Sequence, residues 1–260
     1  LLNSSMINNA YLIELMSNVS GNPPEAGQCM RRSTAVTIYD SVYVIKPEEM
    51  PKTSYWDRYR SKKNGIVLFK DNTSSPMIHF LPAFMQRNKI TDEDLNIMTN
   101  GEAQSASEAW INGKKVIERD ITCKNGYIHK VEGVVESAQN MAEIIRNTPE
   151  MKMWSDLLDR FCAPYFDKTV SDEYNRLYNT EDSAFVLRYF SKAGYNRSAQ
   201  LNDPDGMKVP ATLTFDPGWN HYMYSNTMGR DMHYDAGMMI VPTNEALQYW
   251  WEHDGKVLQD

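Results

Sequence analysis

The chain has 260 residues and a formal charge of −7, with 42% hydrophobic and 23% charged residues. That is a globular composition, long enough for one large or two ordinary domains with a sizeable core. The net acidity argues against a nucleic-acid surface, and the short basic clusters RYRSKK and NGKKVIERD read as solvated turns.

The opening stretch LLNSSMINNAYLIELM has no initiator Met and reads as mid-domain sequence. The upstream part, including any export signal, is therefore expected to lie outside this chain. Residues 1–16 read as a strand followed by a short helix. SGNPPEAGQ (20–28) is a loop by its Pro and Gly content. STAVTIYDSVYVI (33–45) is rich in β-branched and aromatic residues and reads as strand. Residues 46–65 read as a polar, irregular excursion, and IVLFKD (66–71) as a short strand. Met77 to Leu81 read as buried. Thr91, with Asp94 three residues on, starts a helix through Met98 in capping-box style.

Residues 109–135 carry two Asn-Gly pairs, Asn112-Gly113 and Asn125-Gly126, each between strand-like arms. Asn-Gly favours the type I′ two-residue turn, which needs positive φ at both positions. The segment is expected to be a three-stranded antiparallel meander. After it, over 137–166, the apolar period changes to that of helices. Met141, Ile144 and Ile145 form one stripe, and Trp154, Leu157, Leu158 and Phe161 form a second, with a break at Pro149. The change near Ser137 is the expected domain boundary. Residues 167–237 read as loop-rich, with one strand at 183–190. MMIVPTNEALQYWW (238–251) passes from strand through Pro242 into a helix capped by Thr243.

Chemistry-bearing motifs are sparse. GxSxG, HExxH, the Walker loop and GxGxxG do not occur. Cys29, Cys123 and Cys162 lie far apart without a CxxC pair, which excludes a zinc ribbon or thioredoxin-type site and makes buried free thiols the default. His221, Asp231, His233 and Asp235 could ligate a divalent ion, but their spacing fits no rigid motif and they read as solvated loop residues. No metal or other cofactor is expected. NDPDG (202–206) lacks the distal Glu of a calcium loop and reads as an Asx turn. Trp219, Tyr222 and Tyr224 lie in an aromatic-dense segment, 212–226. They either form a platform for a glycan or protein partner or pack the interior.

The stretch NGYIHKVEGVV resembles the closing strand motif of the fasciclin domain, Asn-Gly-x-Ile-His-x-Ile-Asp-x-Val-Leu. Asn125, Gly126, Ile128 and His129 match it outright. MMIVPTNEAL resembles the family's early box through Pro242, Thr243, Asn244, Glu245 and Ala246. The paired helices of 141–161 resemble those that precede that box. In the family the box opens a domain and the Asn-Gly-x-Ile-His strand closes it. Residues 1–137 are thus similar to the end of one fasciclin domain, and 138–260 to the start of a second with an insertion at about 167–237. A circular permutant is the alternative.

The resemblance implies an α+β fold, a fasciclin-type β-sandwich or wedge with flanking helices. It implies a non-enzymatic cell-surface adhesion or binding protein, with His129 as architecture. Ile128, on the other face of the strand, is expected in the core. The early Tyr-His adhesive marker of the family is absent; Asn3, Ser4 and Ser5 occupy its place. The style of the chain is similar to fasciclin-like surface lipoproteins of Bacteroidetes, exported to the outer membrane. Their partners are other cell-surface or outer-membrane proteins, including nutrient-uptake transporter assemblies. A carbohydrate-binding surface module using Trp219, Tyr222 and Tyr224 is the rival reading.

Overall fold

The computed structural model describes residues 2–18, 29–40, 42–69, 75–189, 201–202, 208–209, 223–224, 233–234 and 238–258. In chain order its principal strands are β1 Arg31–Ser33, β2 Tyr43–Ile45, β3 Ile66–Phe69, β4 Pro76–Phe80, β5 Trp110–Ile111, β6 Lys114–Cys123, β7 Gly126–Val131, β8 Cys162–Phe166 and β9 Ala184–Tyr189. The α-helices are α1 Ser54–Arg60, α2 Pro82–Asn88, α3 Asp92–Met98, α4 Met141–Asn147, α5 Lys152–Asp159, α6 Lys168–Tyr178 and α7 Asn244–His253. Two-residue strands pair Leu201–Asn202 with Lys208–Val209, and Met223–Tyr224 with His233–Tyr234. The fold class is mixed α+β. No helix among the described residues is long and apolar enough to cross a membrane.

The chain divides into two compact units. Unit 1 comprises Leu1–Thr37, Ser74–Gln139 and Tyr222–Asp235; unit 2 comprises Ile38–Thr73, Asn140–His221 and Ala236–Asp260. Unit 1 holds a five-stranded sheet in the order β1-β4-β5-β6-β7, antiparallel throughout. Ile13, Met16, Met77, Leu81, Ile111 and Val135 bury one of its cores. Phe84, Met85, Leu95 and Trp110 bury the other, under α2 and α3. The Thr91 hydroxyl accepts from the Asp94 N–H while the Asp94 carboxylate accepts from the Thr91 N–H, a reciprocal cap that satisfies two otherwise orphaned donors of α3.

The meander forms as expected, with one correction. Asn112 and Gly113 have φ of 43° and 75°, the left-handed pair of a type I′ turn. The φ of Gly113 favours glycine, and a Cβ there would also push aside the Glu102 carboxylate, whose oxygen would lie 1.9 Å away. At the second hairpin Cys123 pairs with Gly126, so the two-residue loop is Lys124-Asn125 and Gly126 opens β7. The Asn-Gly signal located that turn but shifted it by one residue. The register of the longer β6–β7 ladder overrides the local preference.

Unit 2 holds a four-stranded sheet in the order β2-β3-β9-β8, with β3 and β9 parallel. Trp56, Leu68, Ile145, Cys162 and Phe185 bury its centre, and the Trp56 indole N–H donates to the Cys162 carbonyl at 3.1 Å. All three cysteines are free, with Cys29 and Cys162 buried. Desolvation raises the Cys162 thiol pKa, which keeps that thiol protonated and inert. Asn244, next to the Thr243 cap, clamps this unit. Its side-chain oxygen accepts from the Met153 N–H at 2.9 Å and its amide donates to the Pro149 carbonyl at 2.8 Å. Just before it, Met239 and Val241 pack against the core while Met238 and Ile240 stand 85% and 82% exposed.

Several sequence expectations are corrected. The described residues 2–16 form no strand or α-helix; 3-10 turns occupy Asn3–Ser5 and Ile13–Ser17. The single strand expected at 33–45 is broken into β1 of one sheet and β2 of the other, with a 3-10 turn at Ile38–Asp40 between them. The excursion 46–65 contains α1, because Trp56 and Tyr59, three apart, bury one helical face. Residues 162–166, read as the tail of a helix, are β8, paired along their length with β9. The polar sequence of α6 concealed a helix that Asp167 caps and that buries only Val170 and Ser171.

Candidate functional site

The resemblance-bearing strand β7 lies at one end of the unit 1 sheet and pairs, among the described residues, with β6 alone. Its partner β6 carries two register shifts, between Val116 and Glu118 and between Glu118 and Ile121. Asp120 sits in the second of them at φ 60°, a left-handed conformation that Asp tolerates better than most residues. The bulge turns the Asp120 backbone N–H onto His129 Nδ1, 3.1 Å away. The Asp120 carboxylate meanwhile accepts from the Ile13 N–H at 2.8 Å.

His129 Nε2 lies 3.0 Å from the Tyr11 carbonyl oxygen. Because Nδ1 accepts, the ring proton is on Nε2 and donates to Tyr11, which assigns the neutral tautomer. Both ring nitrogens are thus committed to backbone groups, and the side chain is only 14% exposed. The imidazole and the Asp120 carboxylate together strap residues 11–13 to the β6–β7 bulge. An exposed ion pair, Arg119 with Glu14 at 2.8 Å, spans the same strap and adds little. Two further bonds fix the rest of the N-terminal segment. The Ser4 hydroxyl donates to the Val135 carbonyl at 3.1 Å, and the Ala35 N–H to the Met6 carbonyl at 2.9 Å.

Between this segment and β7 lies a groove of about 850 Å³, with Met16, Met77 and Ile111 among its lining residues. Its apolar walls reach the surface at Leu2, 82% exposed, Ile128, 55%, and Val134, 63%. Among the described residues its lining holds no Asp, Glu, Lys or Arg, while Ser5, Asn8, Asn9 and Asn125 stand beside the apolar side chains. Asn125, Gly126, Ile128 and His129 all contribute to it. Ile128 was expected in the core and is instead at the rim. His129 and Val131 occupy the more buried positions of the strand, because the bulge and the strap bring the imidazole, not the isoleucine, under residues 11–13.

A second histidine was not anticipated as a site. His79 on β4 is fully buried, and neither ring nitrogen makes a hydrogen bond. Burial, aided by the buried Arg32 guanidinium, lowers its pKa to about 3. The carbonyls of Met77, Cys29 and Met16 oppose this shift without reaching hydrogen-bond geometry. Arg32 itself donates from Nε to the Met16 carbonyl at 2.8 Å and from Nη2 to the Asn18 carbonyl. Only the buried run 77–81 pointed to His79 in the sequence.

The box residues Pro242, Thr243, Asn244 and Glu245 lie at the start of α7. There Thr243 Oγ1 accepts from the Ala246 N–H at 3.3 Å, and Glu245 in the first turn complements the positive end of the helix dipole. Trp219 and Tyr222 lie outside the described residues, as do His221, Asp231 and Asp235. Tyr224 lies in the two-residue strand whose backbone pairs it with His233. Among the described residues no three His, Cys, Asp or Glu side chains cluster as metal ligands. No family model, curated protein or solved structure matches the chain.

Proposed function

We propose that the chain is a non-enzymatic binding protein built of fasciclin-like units, exported to the cell surface and engaging other surface or outer-membrane proteins. The observation that carries this reading is the commitment of His129. Both of its nitrogens hold backbone, at the Asp120 N–H and the Tyr11 carbonyl, so the ring has no free nitrogen for proton transfer. Beside it at the surface lies a groove of apolar and neutral polar residues, with no charged lining residue among those described, which is suited to binding. The Asn-Gly-x-Ile-His resemblance supports the family, and Asn244 as a clamp fits a structural role for the second motif.

The test is saturable binding. The immobilised chain is presented with detergent-solubilised outer-membrane proteins of a Gram-negative bacterium, and Ile128→Glu serves as the groove-defective control. Saturable capture that Ile128→Glu abolishes and His129→Gln preserves supports the proposal. A catalytic turnover that depends on His129, or retention indifferent to both substitutions, overturns it.

A further inference from the structure

Two features that have no second backbone partner among the described residues match one another. The first is the outer edge of β7. Among the described residues it pairs with β6 on one side only, and the groove beside it has no charged lining residue there, with Met77, Ile111, Ile128 and Val131 as its apolar side chains beside the polar Ser5, Asn8, Asn9 and Asn125. An exposed strand edge of this kind presents a row of free N–H and C=O groups and is a template for another extended chain.

The second is Met238–Val241. No backbone hydrogen bond joins it to another described residue, and its side chains alternate. Met239 and Val241 lie against the core of their own unit, while Met238 and Ile240 project into solvent at 85% and 82% exposure. Residues 236–242, AGMMIVP, carry no charge. Pro242 lacks an N–H and would end a strand pairing there. Four extended residues span about 13 Å, well within the roughly 20 Å of a six-residue strand such as β7.

From this we infer that the chain self-associates. Met238–Val241 of one copy adds as a sixth strand along β7 of another and inserts Met238 and Ile240 into the groove lined by Met77, Ile111 and Ile128. Main-chain hydrogen bonds would give the affinity of such a contact, and the two apolar knobs its specificity. The occupant is a second copy because this chain supplies an uncharged, alternating segment, without a backbone partner among the described residues, that suits a groove whose described lining is uncharged. Each molecule presents both surfaces, so the contact is heterologous. It closes as a reciprocal pair or extends head to tail. Neither surface must unfold to dock, since Met239 and Val241 stay on their own core.

Complementation tests it. Sedimentation velocity on the full chain should show mass rising with concentration. Met238→Glu/Ile240→Glu removes the inserting surface, and Ile128→Glu the accepting one. All three side chains are more than half exposed, so circular dichroism should stay unchanged. Each variant alone should lose association by more than about tenfold, because it places a charge in an apolar contact. Mixed in equal amounts, the two variants should form a 1:1 heterodimer and nothing larger, since each retains the surface the other lacks. Should Ile128→Glu perturb folding, Val134→Glu replaces it. A wild-type chain that stays monomeric up to about 100 µM, variants that associate as wild type does, or a mixture that remains monomeric, overturns the inference.

Discussion

Acid should loosen unit 1 through one residue, His79. Its imidazole is fully buried without a hydrogen bond, so the fold tolerates only the neutral ring. The pKa falls from 6.5 to about 3, a difference of about 3.5 units. At about 1.36 kcal/mol per pH unit this is a linkage of about 5 kcal/mol. The sign follows from which state binds the proton. Above pH 6.5 both states are neutral at His79 and the full stability is present. As pH falls below 6.5 the unfolded chain takes up the proton and the folded one does not, so stability declines until about pH 3. At pH 5 the loss is about 2 kcal/mol, a large part of the 5–15 kcal/mol typical of a domain. His79→Leu replaces the ring with an apolar side chain where no hydrogen bond is lost, and should remove this dependence. The assay is hydrogen exchange of β4 amides, with urea unfolding at pH 7, 6, 5 and 4, for wild type and variant in parallel. Other titrating groups contribute equally to both, so the difference isolates His79. Identical pH slopes, or a His79→Leu chain that fails to fold at pH 7, would refute the reasoning.

His129→Ala should cost about 1–3 kcal/mol in urea unfolding by stranding the Asp120 N–H and the Tyr11 carbonyl, with His129→Gln recovering part of the loss. Asp120→Ala should cost about 2–3 kcal/mol, combining a left-handed φ of 60° with a lost bond to Ile13, whereas Asp120→Asn stays within about 1 kcal/mol; equal effects of the two would remove the bulge from the account. Asn112→Ala should lower the melting temperature markedly and more than Asn125→Ala. Asn112 accepts from the Ile78 N–H at 2.7 Å, donates to the Glu136 carbonyl at 2.6 Å and holds a φ of 43°. Ile128→Ala, at a half-exposed rim, should cost under about 1 kcal/mol while Ile111→Ala in the core costs about 2–5 kcal/mol; the reverse order would return Ile128 to the interior.

Where a structure is closed by groups a few residues apart, the sequence alone was sufficient. The Thr91–Asp94 box, the Thr243 cap and the Asn112-Gly113 turn each depend on side-chain and φ/ψ chemistry within one or two turns of chain, and each stands where the residues placed it. The strand-rich character of 109–135 was equally legible, because period-two alternation and Asn-Gly signals agree there. The long-range decisions were not. Lys124-Asn125 became the second turn because β6 and β7 fixed their register over a whole ladder. The polar helix α6 depends on its packing beside β9, where the Ser171 hydroxyl donates to the Ala184 carbonyl at 3.0 Å, a contact no local pattern records. His129 faces inward, and Ile128 outward, because a bulge at Asp120 and a strap from residues more than a hundred positions away meet at the ring. His79 lost its water, and with it its ordinary pKa, only when β1 and the Ile13–Ser17 turn closed over it. Sequence spacing carries local geometry; burial, register and the environment of a titrating ring belong to the assembled interior.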